Sequence, residues 1–505
     1  MGYVTLKDTP RGNNYDTEYD VIVCGGGTSG VAAAIASARV GANTLLIEKG
    51  GTLGGQMNVS GPPGFAYARL WNPRGERDVA GIVEETYQRL YKENHALPAL
   101  RYPVRDKAGF SFAYIDPDWW TDLIFEMIDE NEVTLLLDSL VVGVLKDKDA
   151  VNGVIVENVN GRIEIKGSRI IDATGEGYVA IQAGAEIDYV DREKVQPHTL
   201  AFTVDGVDWD VLLQYVRNHP EQFSFKQLIF PFEGATTREE VLDWYSKCHD
   251  IKSLGELMGF YELRDIALEN GDWHPYSGAG FFLIPREGGH IQAHFQHSSQ
   301  VDNTLVTDAW DLTKCMAECR RQNKIAWRFF KNYVPGFEHA YITRTCNELR
   351  LREGPRIIGD YVLTRDDVEA ARKFEDSIGK SSFKAGGYHV ASMDTLNMIA
   401  SLDTEEQPAG EINVKSDLAF PKDGGSYDLP YRILVSRNID NLLAAGKSVS
   451  TDRPSYLRYL HQTMVTGQAA GAAAALSVKK RITPRELEKN VKELQELLVS
   501  QGVVL

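Results

Sequence analysis

Basic residues are outnumbered in this chain: 54 lysines and arginines face 71 aspartates and glutamates, for a formal charge of −17. That balance argues against non-specific binding to nucleic acid or to an anionic membrane surface. It leaves room for a locally basic pocket. Cysteine is scarce too. The five present, Cys24, Cys248, Cys315, Cys319 and Cys346, are too few and too scattered for a disulfide framework. Cys315 and Cys319 share a helix face, but no further Cys pair completes a metal signature, so no metal is expected. Long apolar runs are also missing, and none approaches the roughly 20 residues a membrane span needs. The opening MGYVTLKDTPRGNN has no apolar signal-peptide core, which makes a cytoplasmic location the expectation. What remains is a 505-residue chain of ordinary globular composition, long enough for two or three domains and carrying 45 glycines.

The glycines concentrate where they carry information. In EYDVIVCGGGTSGVAAAIASARVGANTLLIEKGGTLGGQ, residues 18 to 56, a short β-branched run meets Gly25, Gly26, Gly27 and Gly30. An Ala-rich helix pattern follows, then a second apolar run that ends at Glu48. Strand, tight turn, helix, strand and acidic end form a dinucleotide-binding unit. Gly25 permits the turn, Gly27 lets the backbone approach a pyrophosphate, and Gly30 lets the helix lie close to its strand. Unpaired N–H groups at the positive helix end would hold the phosphates. Glu48 is placed to accept from a ribose diol and to repel the extra phosphate of NADP.

Residues 1 to 18 read as a polar N-terminal arm and 19 to 190 as the first part of a nucleotide-binding domain. Within it, Ala80 to Glu93 and Asp116 to Asn131 read as amphipathic helices, the second with Pro117 near its start. Val133 to Leu145 and Val151 to Val159 read as strands of a meander, and a further strand ends in Ala173-Thr174-Gly175. Residues 191 to 353, richer in aromatics and histidine, read as an inserted substrate or cap domain with a long helix from Leu312 to Tyr333. Residues 354 to 478 return to the nucleotide-binding style. There NLLAAG (441 to 446) reads as a strand, and Tyr459 to Ser477 as a helix crowded with small residues. A tail at 479 to 505 carries an amphipathic helix with Leu487, Val491, Leu494 and Leu498 on one stripe.

These motifs together resemble the FAD-dependent oxidoreductases of the two-dinucleotide-domain, glutathione-reductase-like kind. The likeness runs through residues 25 to 55, Asp172 to Gly175, GPRIIGDYVLTRDDV, YDLPYRILVSRNIDNLLAAGKSVS and Leu457-Arg458 onward to Leu476. It implies an α/β fold with FAD as cofactor: a Rossmann-like FAD domain with a β-meander, interrupted by an α+β cap domain. It places Gly25, Gly27, Gly30 and Glu48 at the adenosine-pyrophosphate end. Thr174, Gly175 and Gly446 go to the nucleotide and ribityl portions, and Gly55 and Gln468 lie near the flavin. Thr28, Ser29, Lys49, Gly54, Gln56, Val141 and Ala173 complete the expected cofactor contacts. Two departures stand out: Glu176 follows ATG where relatives often have Asp, and Lys447 takes a frequent Arg position.

FAD supplies the electron chemistry, so the protein must orient a donor carbon and remove a proton. Histidine suits the second task. His461, just before the small-residue helix, is the first choice, and His389, in AGGYHVASMD, the second. Arg458 would clamp an anionic or hydroxyl-rich substrate or hold the flavin's pyrimidine edge. His290, His294 and His297 would align on a helix, but the alternation between them reads as a strand, on which His297 faces away. His294 or His297 would then line a substrate pocket. Tyr67, Trp71 and Tyr388 are further pocket candidates, and Tyr431 and Arg432 fall to organising the flavin domain.

The expected activity is oxidation of a small polar molecule, such as a secondary alcohol of a carbohydrate-like compound. Hydride passes to flavin, a histidine takes the proton, and oxygen or a protein accepts the electrons. A flavin-dependent reductase or monooxygenase fed by NAD(P)H or a partner is the rival, although no second nucleotide fingerprint is visible. A non-enzymatic flavin-binding electron carrier stays open, as does a nicotinamide dehydrogenase on the first motif alone. A homo-oligomer is compatible with the sequence.

Overall fold

A computed structural model describes residues 18–61, 67–68, 70–97, 100–101, 111–223, 238–274, 279–383, 385, 419 and 421–505. The first apolar run is strand β1, Glu18–Cys24, fully buried from Val21 to Cys24. It feeds helix α1, Thr28–Arg39, buried on every side from Thr28 to Ser37. Small and apolar residues all round suit a helix with no solvent face. Strand β2, Thr44–Ile47, lies parallel to β1, with Cys24 opposite Ile47. Helices α2, Ile82–Lys92, and α3, Pro117–Glu130, follow. The Asp116 carboxylate starts α3 by accepting from the backbone N–H groups of Asp118 and Trp119.

Next come β3, Thr134–Leu136, β4, Leu140–Asp147, β5, Ala150–Asn158, and β6, Gly161–Asp172. The apolar stretch from Val133 to Leu145 is thus two strands, not one. β3 lies parallel to β2, whereas β4 opens the antiparallel meander. The break between them is pinned from outside: Asp138 takes a positive φ of 49° and its N–H donates to Gly50 O, while Ser139 N–H donates to Glu48 O.

A second, antiparallel sheet draws its strands from residues 202 to 345: β7, Phe202–Asp205, β8, Glu256–Met258, β9, Gly280–Pro285, β10, Ile291–Phe295, and β11, Tyr341–Thr345. Their order is β8-β9-β10-β7-β11. Helix α4, Ala309–Tyr333, contributes Phe329 and Phe330 to an aromatic core with Phe202, Phe281, Phe295 and Phe337. Phe202 and Phe295 stack with ring centroids 4.6 Å apart. This core is separate from the one around β1.

The chain then returns to the first sheet. Strand β12, Leu442–Ala444, lies parallel to the end of β6, beside the stretch where β5 has turned away. The first sheet therefore runs β3-β2-β1-β6-β5-β4, with β12 also on β6. Helix α5, Leu460–Lys480, is buried from Leu460 to Ser477 and lies against α1. Gly467 meets Ser29 and Gly471 meets Ala33, so the two helices run in the same direction. A Cβ at Gly467 would sit 2.1 Å from Ser29 O, and one at Gly471 1.9 Å from Ala33 O. Only glycine admits this approach. In the tail, the expected single helix breaks into a tight turn, Glu486–Asn490, and helix α6, Val491–Ser500. Leu487, Leu494 and Leu498 still share the buried stripe.

Candidate cofactor and active site

The chain leaves β1 through glycines that do different things. Gly25 has φ +110°, and a Cβ there would lie 2.5 Å from Ala173 O. A Cβ on Gly30 would lie 1.7 Å from Gly25 O. These two close the turn on itself. At Gly27 a Cβ would meet nothing within 4 Å, which leaves an open face beside the loop. Gly27 caps α1 with no side-chain hydrogen bond, and the first turn holds no acidic residue. Because the first intrahelical bond is Val31 N–H to Gly27 O, the N–H groups of Thr28, Ser29 and Gly30 have no carbonyl within the helix. The start of α5 reaches the same end, where the hydroxyls of Thr463 and Thr28 are 2.9 Å apart. Two positive helix ends therefore converge beside an open face.

Glu48 follows β2 directly. Its carboxylate accepts from Gly26 N–H at 2.6 Å and from Gly50 N–H at 2.8 Å. A carboxylate has about four lone-pair sites, so two remain for a diol. Burial pushes the Glu48 carboxyl above its ordinary range, and the Gly50 and Gly26 N–H groups partly offset this. Lys49 turns outward to Glu348 at 3.6 Å, and Val141 is half-buried at the start of the meander. The loop beyond doubles back along the turn: Gly54 N–H donates to Gly26 O, and a Cβ on Gly55 would sit 3.0 Å from Gly27 Cα. Gln56 contacts Ser60 Oγ at 3.5 Å.

At the end of β6, the buried Asp172 carboxylate accepts from Thr174 N–H, the Thr174 hydroxyl and Ala180 N–H. Burial raises its pKa, and those donors oppose the rise. The Asp thus shapes the Ala173-Thr174-Gly175 turn. The two departures from the family pattern prove to be partners, because Lys447 Nζ lies 3.0 Å from the Glu176 carboxylate. The Lys447 stem lies against Gly175, where a Cβ would meet Cε at 3.0 Å. Gly446, with φ +78°, donates to Thr466 Oγ1 and faces Ser29. Gln468 has a different setting: its amide oxygen accepts from Ile82 N–H at the start of α2, and its nitrogen donates to Gln501.

His461 lies in the first turn of α5, 1% exposed, with its ring centroid 5.6 Å from Phe383 and 6.4 Å from Tyr459. The Arg458 guanidinium covers the Tyr459 ring at 4.7 Å and donates to its hydroxyl. His290, His294 and His297 go separate ways. His290 pairs with Asp205, and the buried His294 bonds Thr203 Oγ1 from β10. His297, beyond the strand, reaches Arg352 and Gln296. His389 and Tyr388 lie outside the described residues. Tyr67 is wholly buried, hydrogen-bonded to Thr86 and Trp120, and Trp71 lies under Arg77. Tyr431 donates to Pro484 O and Arg432 pairs with Asp376.

Sequence reasoning missed the arginines that join the two sheets. Arg344, on β11, donates to Asn58 O at 3.0 Å, and Arg350 to Gly61 O at 2.7 Å. Arg286 bonds Asp116 at 2.7 Å and Asp118 at 2.8 Å. The available signal was ELRLREGPR, in which Arg350 and Arg352 alternate just before a family-like element.

The open face at Gly27, the uncapped helix start and the spare capacity of Glu48 define a dinucleotide-binding α/β protein. The profile described as FAD dependent oxidoreductase matches residues 20–498, and the chain belongs to that family. FAD is its cofactor, and it is an enzyme. A curated relative, the tRNA uridine 5-carboxymethylaminomethyl modification enzyme of Sulfurihydrogenibium sp., is 29% identical over 167 residues. That match covers 32% of this chain and only 25% of the relative's length. Among solved structures, a geranylgeranyl bacteriochlorophyll reductase-like protein from Thermoplasma acidophilum has TM-score 0.48 at 12% identity, covering 97% of this chain and 88% of that one. The p-nitrophenol 4-monooxygenase of Pseudomonas putida has TM-score 0.43 at 11% identity, covering 96% and 87%. Among the described residues, no helix is long and apolar enough to cross a membrane.

Proposed function

We propose that the chain oxidises a small polar substrate at a carbon beside oxygen or nitrogen, in the region formed by Arg458, Tyr459 and His461. Bound FAD supplies the two-electron acceptor. Gly25, Gly27, Thr28, Ser29 and Glu48 would hold its nucleotide end, and Thr174, Gly175 and Gly446 its middle. The observation that carries the reading is the position of His461, in the first turn of the helix whose N-terminus meets the nucleotide loop. A neutral imidazole there would take the O–H or N–H proton of the substrate while Arg458 orients a polar substituent. A secondary alcohol on a carbohydrate-like compound is the finer form of the proposal, with oxygen or a separate protein as the last acceptor.

The test is anaerobic mixing of the FAD-loaded enzyme with candidate alcohols and amines and, separately, with NADPH. Loss of yellow absorbance with a donor substrate is expected, slowed about 100-fold or more in His461→Asn at unchanged FAD content. Reduction by NADPH alone would reverse the proposed direction.

A further inference from the structure

We propose that Arg350 and Arg458, with the Tyr459 hydroxyl, form an anion subsite at the junction of the two sheets, and that the substrate carries a carboxylate that docks there. The inference rests on the reading of His461 and its neighbours as the reacting region.

Three observations carry it. First, the positive charges act on one another and on a shared hydroxyl. Arg458 donates to the Tyr459 hydroxyl, Arg350 feels the charge of Arg458, and Tyr459 feels Arg458, Arg352 and Arg350, with no carboxylate among the described residues contributing at either. Burial, then the repulsion of Arg458, pushes Arg350 down to about 10. Second, their hydrogen-bonding capacity is largely unspent. Among the described residues the Arg350 guanidinium donates to one acceptor, the Gly61 backbone carbonyl, and that of Arg458 to the Tyr459 hydroxyl at 3.4 Å. A guanidinium offers about five N–H donors in a planar fork that matches a carboxylate. Third, the acids that act on the neighbouring Tyr456 and Cys346 are already engaged. Glu353 serves Arg356 and Arg453, Glu176 serves Lys447, and Asp118 serves Arg286 and Arg344. Like charges held together in a half-buried place without a counter-ion are costly, and a ligand anion removes that cost.

The position suits a substrate. Arg350 holds the loop that runs on from Gly54 and Gly55 at the nucleotide turn, and Arg458 stands three residues before His461. A carboxylate gripped here would hold the rest of a small molecule beside the imidazole. In a chain of net charge −17, such a positive cluster also selects for anions locally.

A second source of negative charge is the reduced cofactor's own ring, and the experiment separates the two. FAD-loaded protein is titrated calorimetrically with sodium acetate and sodium glycolate at constant ionic strength, and the flavin midpoint potential is measured in parallel. Saturable binding is expected at about pH 6 to 8. It should weaken about tenfold or more in Arg458→Met, with FAD affinity and potential unchanged, and in Arg350→Met. Arg350→Lys keeps a donor for Gly61 and serves if the Met variant does not fold; it too should lose affinity, because it lacks the fork. Absence of saturable binding in the wild type, or undiminished binding in the variants, would overturn the proposal. So would a shifted flavin potential with carboxylate binding intact, which would give the arginines to the cofactor. The same titration on FAD-free protein reports the subsite by itself. A chain that takes up no FAD yet binds acetate would sink the oxidoreductase reading and leave the anion site standing.

Discussion

Three of the four glycines of the nucleotide turn, Gly25, Gly27 and Gly30, should not respond alike to alanine. At Gly27 the backbone has φ −74°, which any residue adopts, and a Cβ would meet nothing within 4 Å. Gly27→Ala should gain about 0.4–1 kcal/mol from a stiffer unfolded chain and lose a similar amount through poorer solvation of the helix start. Stability without FAD should therefore change by less than about 1 kcal/mol. The methyl group nonetheless occupies the open face that a pyrophosphate needs, and FAD should bind about ten- to a hundredfold more weakly, or about 1.4–2.8 kcal/mol. Gly25→Ala combines φ +110° with a Cβ only 2.5 Å from Ala173 O. Strain of about 1–3 kcal/mol and overpacking of similar size should lower stability by roughly 3–5 kcal/mol. Gly30→Ala, with its Cβ 1.7 Å from Gly25 O, should behave like Gly25→Ala. Urea unfolding of FAD-free protein and fluorimetric FAD titration separate the two effects. If Gly27→Ala unfolds as readily as Gly25→Ala, or binds FAD like wild type, the assignment of the open face is wrong.

Gly471→Ala pushes a methyl onto Ala33 O and should separate α1 from α5, at a cost of about 1–3 kcal/mol or more in urea unfolding. Lys447→Met strands the buried Glu176 carboxylate, for a loss of about 3–5 kcal/mol, and adding Glu176→Gln should recover most of it; no recovery would mean the pair is not coupled. His198 is fully buried, donating to Thr304 O and accepting from Arg352 N–H, and burial holds its pKa down to about 3. A depressed pKa stabilises the fold at pH above the unfolded value near 6.5, and that stability is lost as pH falls toward 3, by about 2 kcal/mol at pH 5. His198→Gln, which can reproduce both bonds, should flatten the urea midpoint between about pH 7 and pH 5; an unchanged slope would refute the assignment.

The sequence announced those parts of the fold whose reasons are local. β1, α1, β2 and Glu48 were legible because glycine positions, apolar runs and an acidic end are each read over a few residues. The small-residue pattern of α5 likewise announced a close approach, though not its partner, α1. What stayed hidden depends on contacts far along the chain. The break between β3 and β4 is enforced by Glu48 and Gly50, some 90 residues earlier. Gln468 looked like part of the cofactor-bearing helix, yet its amide is committed to Ile82 and Gln501. The departures at Glu176 and Lys447 lie 271 positions apart, and nothing local joins them. Paired, they form one buried ion pair between the turn after β6 and the segment after β12.

The junction between the two sheets has a consequence for how the site is held. Arg286 grips Asp116 and Asp118, Arg344 grips Asn58, Arg350 grips Gly61, and Lys447 reaches Leu351 O. Such forks fix position through donors and acceptors, and they leave polar walls that an apolar junction would not. Asn58 and Gly61 belong to the loop that begins at Gly54 and Gly55, beside the nucleotide turn. That loop is therefore fastened at its start to the turn after β1 and at its end by arginines on and beyond β11. Its course is set jointly, so the shape of the crevice cannot be a property of either half alone. A mutation in the aromatic core around Phe295 and Phe330 should for that reason reach the reacting region through Arg344 and Arg350.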